Sequence, residues 1–204
     1  MIGRKAFADE IRQMDLSVIG PYNLRARTEY KLHVELGPCP YEGDVARAPI
    51  VLLLANPGFD KKTSTLEDHT FESEGWPLAG LHPGAPDGLR QWWAKRLREL
   101  IEEFTVQRVS QSVAALQFTS WASEKFDSDL RLPSQQNMLK LAEDAVSREA
   151  LIIVMRARKL WHQKVAGYSR RLETRAPLVS YVTKGNVGVD GWRAVLEAVA
   201  AFSP

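Results

Sequence analysis

The chain has 204 residues, 45% of them hydrophobic and 25% charged, with 13 glycines, 11 prolines and one cysteine. That composition predicts a single domain over 1–204 and excludes a disordered tail, a collagen-like chain and a coiled coil. Cys39 stands alone, which excludes an internal disulfide and a thiolate zinc cluster, so neither a metal nor a cofactor is expected. No apolar run approaches the roughly 18 residues of a membrane span, and no apolar leader follows Met1, so a cytoplasmic protein without a membrane partner is expected.

Charge is unevenly placed. The residues before Arg156 hold 18 basic and 22 acidic side chains, and the remainder holds 9 and 3. Such a skew points to an anionic partner, with phosphate the commonest choice. The alternative is a solvated basic helix face.

In chain order, residues Lys5–Met14 read as a short helix, with a turn at Gly20-Pro21. Tyr30–Leu36 alternate loosely, as a strand or an extended arm, and Pro38-Cys39-Pro40 then breaks the chain before a loop at Tyr41-Glu42-Gly43-Asp44. Ile50–Ala55 is a continuous apolar run between Pro49 and Asn56-Pro57-Gly58, the pattern of a strand buried on both faces. Residues 58–87, rich in Gly and Pro, form a long loop, and loops of that length in a compact domain are functional or mobile. Asp87 can cap a helix over Leu89–Phe104, where Leu89, Trp93, Leu97, Leu100 and Phe104 recur at helical spacing. Ser112–Phe118 is a second strand. Ser134 is the expected cap of a helix over Gln135–Arg148, Leu151–Met155 is a third strand, and Arg158–Ala166 a helix. Leu178–Val182 is a fourth strand, and Gly191–Phe202 the last helix.

Strands alternating with helices imply a parallel sheet covered on both faces, whose ligands bind beyond the carboxyl ends of the strands. Those ends are Asn56-Pro57-Gly58-Phe59, Gln117-Phe118-Thr119-Ser120, Arg156-Ala157-Arg158 and Thr183-Lys184-Gly185-Asn186. The chain has no phosphate loop, no GxGxxG, no GxSxG and no HExxH. The four histidines are scattered, and His69 and His82 read as exposed loop residues. Asn-Pro-Gly after a buried strand forces a sharp turn that aims backbone amides and the Asn56 carboxamide at the cleft.

That strand and turn resemble the first motif of the uracil-DNA glycosylase superfamily, in its mismatch-specific and thymine-DNA glycosylase branch. The motif reads Gly-x-Asn-Pro-Gly, and Leu54 stands where it has its leading glycine. The segments 40–44, 132–135 and 154–161 are similar to bacterial members of the same fold. The resemblance implies an α/β fold: a three-layer α/β/α sandwich on a four-stranded parallel sheet, with residues 1–40 as an N-terminal arm and 41–204 as the core. It also implies a DNA partner and hydrolysis of the N-glycosidic bond of a flipped base. In that reading Asn56 orients the attacking water and is the catalytic residue. Phe59 or Phe71 stacks the base, and Gln117, with Ser120 beside it, reads its edge. Arg156, Arg158, Lys184 and Asn186 hold phosphates. The superfamily's second motif, His-Pro-Ser-Pro or a relative, has no counterpart; Thr183-Lys184-Gly185-Asn186-Val187-Gly188 stands in its place. A module of the same fold that binds nucleotide or nucleic acid without chemistry is therefore the alternative. A third reading has the basic C-terminal part contacting an acidic protein.

Overall fold

The computed structural model describes residues 4–62, 64–165, 170–175 and 180–203. It is a mixed α/β fold built on a five-stranded, mostly parallel sheet. The strands are β1 (Tyr41–Glu42), β2 (Ile50–Leu54), β3 (Val113–Gln117), β4 (Leu151–Val154) and β5 (Arg171–Glu173), in the spatial order β1-β3-β2-β4-β5. β2, β3, β4 and β5 run parallel, and β1 lies antiparallel on the outer side of β3.

The continuous apolar runs become the three inner strands because side chains alternate between two covered faces. Val51, Ala114 and Ile152 form one row across the sheet, and Leu53, Leu116 and Val154 the next. Both rows belong to a core packed by α1 (Arg4–Arg25), α6 (Gln135–Ser147) and α7 (Arg158–Lys164). The intervening rows, such as Leu52, Ala115 and Ile153, face a second core closed by α3 (Asp87–Arg96), α4 (Arg98–Glu103), α5 (Val106–Ser112) and α9 (Val189–Ala201). Among the described residues no helix is long and apolar enough to cross a membrane.

Several expectations need correction. The first helix does not stop for a turn at Gly20-Pro21 but runs through Pro21 to Arg25. Its buried face, Ile11, Asp15, Ile19 and Tyr22, continues past the proline, and the Tyr22 hydroxyl bonds Asp127 Oδ2 at 2.9 Å. Tertiary contacts on one face thus outweigh the lost backbone donor. Residues 30–36 form no strand; two single 3₁₀ turns lie at Thr28–Tyr30 and Val34–Leu36. The Asn23 side chain takes the place of a strand partner there, accepting from Leu32 N at 2.9 Å and donating to Leu32 O at 2.8 Å. The helix expected over 89–104 is broken at Leu97, and Pro86 rather than Asp87 occupies its cap position.

Ser134 does stand at the start of α6, yet its side chain caps nothing. Its hydroxyl donates to Asp15 Oδ2 at 2.5 Å and its amide to Asp15 Oδ1 at 3.0 Å, while Trp121 Nε1 donates to Asp15 Oδ2 at 2.8 Å. Three donors therefore hold one fully buried carboxylate and pin α1 to the start of α6. The long segment after β2 contains a short helix, α2 (Leu66–Thr70), opened by a reciprocal capping box between Thr65 and Asp68. Of the strand expected over 178–182, Leu178 and Val179 lie outside the described residues, and Ser180–Val182 are not in a strand. The fourth parallel strand is instead Arg171–Glu173.

Candidate functional site

β2 sends its crossover to one side, toward β3, and the chain then returns past β2 to β4 and outward to β5. The carboxyl end of β2 is thus where the direction of winding reverses, the place where such sheets leave a crevice. A cavity of about 260 Å³ opens there, lined by Pro57, Gly58 and Phe59 after β2, Gln117 at the end of β3, Cys39 and Glu42 around β1, Asp68 and His69 of α2, and Trp92 of α3. It lies just below the roughly 300–1,000 Å³ of drug-sized ligand pockets, and so suits one small ring system.

Two residues of its wall each carry a buried polar atom with no protein partner. Gln117 is 4% exposed and its Oε1 accepts no hydrogen bond; His69 is 7% exposed and its Nδ1 is equally alone. Buried polar atoms normally find partners, so two residues with orphaned atoms around one cavity mark it as the candidate site. Burial pushes the His69 pKa down, with Arg4 and His33 reinforcing and Asp68 opposing, so the ring is favoured in its neutral form.

Glu42 is the third polar group of the wall. Trp93 Nε1 donates to its Oε2 at 2.7 Å. Burial pushes its carboxyl pKa up, against Arg4 and the Trp93 bond, which both favour the carboxylate. Two glycines make this contact fit. Gly43 has φ +84° and a Cβ there would meet Val113 O at 2.5 Å; a Cβ on Gly80 would meet Trp93 Cδ1 at 2.2 Å. Beneath the cavity Arg4 donates to His69 O at 2.6 Å and approaches Cys39 Sγ at 3.5 Å. Burial pushes the Cys39 thiol up to about 11, with Glu42 adding to the rise and Arg4 opposing it.

Of the residues singled out from the sequence, Phe59 and Gln117 meet in the cavity wall. One face of Phe59 is already stacked on His33, ring centroids 3.4 Å apart and planes at 14°. Asn56 directly precedes Pro57 of the wall and is not itself among the lining residues. Its Nδ2 contacts Pro57 O at 2.8 Å, Ser123 Oγ at 2.9 Å and Ser123 O at 3.2 Å, and these are all its side-chain bonds among the described residues, so Oδ1 keeps its lone pairs. Phe71 caps α2 and leans toward His82, ring centroids 6.1 Å apart, outside the cavity lining. Ser120 is fully buried with an unpartnered Oγ, also outside that lining.

The basic residues are spread over the other side of the sheet. Arg156 follows β4, exposed, its Nε donating to Ser180 Oγ at 3.1 Å. Arg158 is engaged by Glu173 at 3.7 Å and Thr174 Oγ1 at 3.3 Å. Lys184 and Asn186 lie on α8 (Lys184–Val187); Lys184 is exposed, whereas Asn186 is buried and donates to Tyr181 O at 2.7 Å. Glu42, His69 and Trp92 were missed. The Thr65-x-x-Asp68 spacing was a readable sign that His69 sits on a short helix; nothing in Tyr41-Glu42-Gly43 announces a two-residue edge strand.

Among the described residues no group of three or more His, Cys, Asp or Glu is arranged to hold a metal ion. The fold and site therefore define an α/β protein with a ring-sized, partly polar cavity at the carboxyl end of its parallel sheet. No protein-family model, no curated protein and no solved structure matches the chain.

Proposed function

We propose that this chain is a uracil-DNA glycosylase-like protein that takes a base flipped from DNA into the cavity between β2, β3 and α3. The observation that carries the reading is the meeting of Pro57 and Gly58, which follow Asn56 in the turn, with Gln117, whose Oε1 has no partner, around a space of about 260 Å³. A mixed α/β fold on a five-stranded, mostly parallel sheet with helices on both faces is compatible with this reading, one strand more than the four-stranded sheet that the resemblance implies. In this reading Gln117 and His69 meet the base edge, and Phe59, braced by His33, offers its remaining face for stacking.

The chemistry is hydrolysis. Asn56 Oδ1 holds a water whose oxygen attacks the sugar carbon; the bond from that carbon to the base nitrogen breaks, and the base leaves with the electron pair and takes up a proton. His69, favoured in its neutral form and in the cavity wall, is a group suited to hydrogen-bond the departing base. Extrusion of the base costs a few kcal/mol, which stacking and edge contacts offset.

One observation favours the second reading, binding without turnover. The Asn56 amide nitrogen ties β2 to the segment around Ser123, which makes the residue a strut as well as a water holder. A strand-cleavage assay separates the two. Uracil-, hypoxanthine- and mismatch-containing oligonucleotides are incubated with protein and treated with alkali to reveal abasic sites. Product that vanishes in Asn56→Ala establishes the glycosylase, salt-sensitive retention without product establishes the binding module, and neither defeats both.

A further inference from the structure

Arg96, the last residue of α3, lays its guanidinium on the face of Trp92, 3.4 Å from the ring centroid, and donates from Nη1 to Trp92 O at 3.1 Å. Trp92 also lines the cavity, so the cation and the cavity share one side chain. Its Nε is buried and bonds to nothing. No acidic side chain pairs with Arg96 among the described residues, and the residues outside them carry no acidic side chain at all. Glu99, one turn further on, has its Oε2 committed to Lys184 N at 2.7 Å.

The surroundings add charge of the same sign. Arg96 and Lys95 approach the Tyr181 ring at 5.8 and 5.9 Å, and Arg156 bonds the neighbouring Ser180. Burial, with Arg156 reinforcing and Tyr181 opposing, pushes the Arg96 pKa down to about 10, so it remains charged at neutral pH and pays for desolvation without a counter-ion. A half-buried guanidinium stacked on an aromatic ring, without a counter-ion and close to other cations, is suited to meet a phosphate oxygen, here through Nη2, because Nη1 is committed to Trp92 O and Nε is buried.

We propose that Arg96, with Arg156 and Lys95 around Ser180 and Tyr181, forms a binding site for the phosphate of a phosphate ester beside the cavity. That the phosphate belongs to the strand whose base enters the cavity rests on the function proposed above; the anion site itself does not.

The test uses two labelled single-stranded oligodeoxynucleotides of equal length, one with a central uracil and one wholly abasic, titrated against wild type and variants over a range of salt. Arg96→Gln weakens both by about tenfold and lowers the slope of log affinity against log salt by about 0.7, one phosphate contact on a single strand. Gln117→Ala weakens only the uracil strand. Arg156→Gln, at an exposed position, lowers affinity in the same direction by a smaller factor and guards against a folding defect in Arg96→Gln, which melting temperatures also monitor. If inorganic phosphate or a nucleoside monophosphate raises the wild-type melting temperature in an Arg96-dependent way while neither strand binds, the anion site stands with a free ester as its ligand and the DNA reading falls. Equal binding of every phosphate probe by wild type, Arg96→Gln and Arg156→Gln overturns the site.

Discussion

On the β4–β5 side of the sheet, Glu173 gathers Arg158, Arg171 and His162 around one carboxylate, with contacts of 3.7, 3.6 and 3.1 Å. Arg171 donates to His162 Nδ1 at 2.9 Å, which leaves the ring proton on Nε2, toward Glu173. On the β2–β3 side, Gln117 and His69 face a cavity, each with a polar atom that no protein group meets. Both clusters hold residue types suited to chemistry, each around the last residue of a parallel strand, β5 in one and β3 in the other. The first is held together by charge, although Arg158 Nε stays without a partner, and none of its residues lines the cavity; the second sets its unpartnered residues around that cavity. Residue type and position along the chain did not separate them; the counter-ion at the centre of one and the cavity beside the other do.

The largest break in that contrast is expected from Gln117→Ala. Loss of a buried partner to a ligand group costs about 1–3 kcal/mol, so binding of a uracil-containing strand should weaken by roughly 5–150-fold, measured by titration. Glu173→Ala in the same assay should leave affinity within twofold, and a tenfold loss there would erase the distinction. Next in size is Glu42→Ala, which strands Trp93 Nε1 in the core and leaves a void. A cost of about 2–3 kcal/mol, or roughly 5–10 °C in a thermal melt, is expected.

The pH dependence sharpens the picture further. Glu42 has its pKa raised by folding, so the folded chain holds a proton that the unfolded chain has lost. Stability should therefore fall as pH rises out of the ordinary carboxylate range through the raised value, and Glu42→Gln should remove that slope. His69 acts in the opposite sense. Its pKa is lowered, so stability is complete above the ordinary histidine value and is lost as pH falls below it. Melting temperatures of wild type, Glu42→Gln and His69→Gln between pH 4 and about 8 read both slopes, and a flat difference curve for either variant would contradict its assignment. Smallest is the stability effect of Glu173→Ala. Its partners are partly exposed, so about 1 kcal/mol or less and roughly 2–4 °C are expected.

Much of the sheet was legible because β2, β3 and β4 are covered on both faces and so print continuous apolar runs. The edges were not. β1 spans two residues, and β5, Arg171-Leu172-Glu173, is mostly exposed and charged, so neither carries a run. The break at Leu97 and the missing strand at 30–36 were hidden for a related reason. Hydrophobic spacing reports which residues turn inward, not whether a backbone is kinked or satisfied by a side chain such as Asn23. At the site, Phe59 and Gln117 were readable as strand-end residues, whereas Glu42, His69 and Trp92 reach the cavity from an edge strand and two helices distant in sequence. Arg96 looked like any basic residue in a helix's last turn, and only its lack of a counter-ion sets it apart.

Cys39 carries a last consequence. Its thiol lines the cavity wall yet titrates only at about 11, because it is buried and lies beside Glu42. Sulfur chemistry runs through the thiolate, so at neutral pH this position should resist alkylating reagents and peroxide. The chain's sole cysteine thus leaves the cavity wall without a reactive thiol at neutral pH, and leaves the surface open for labels introduced elsewhere.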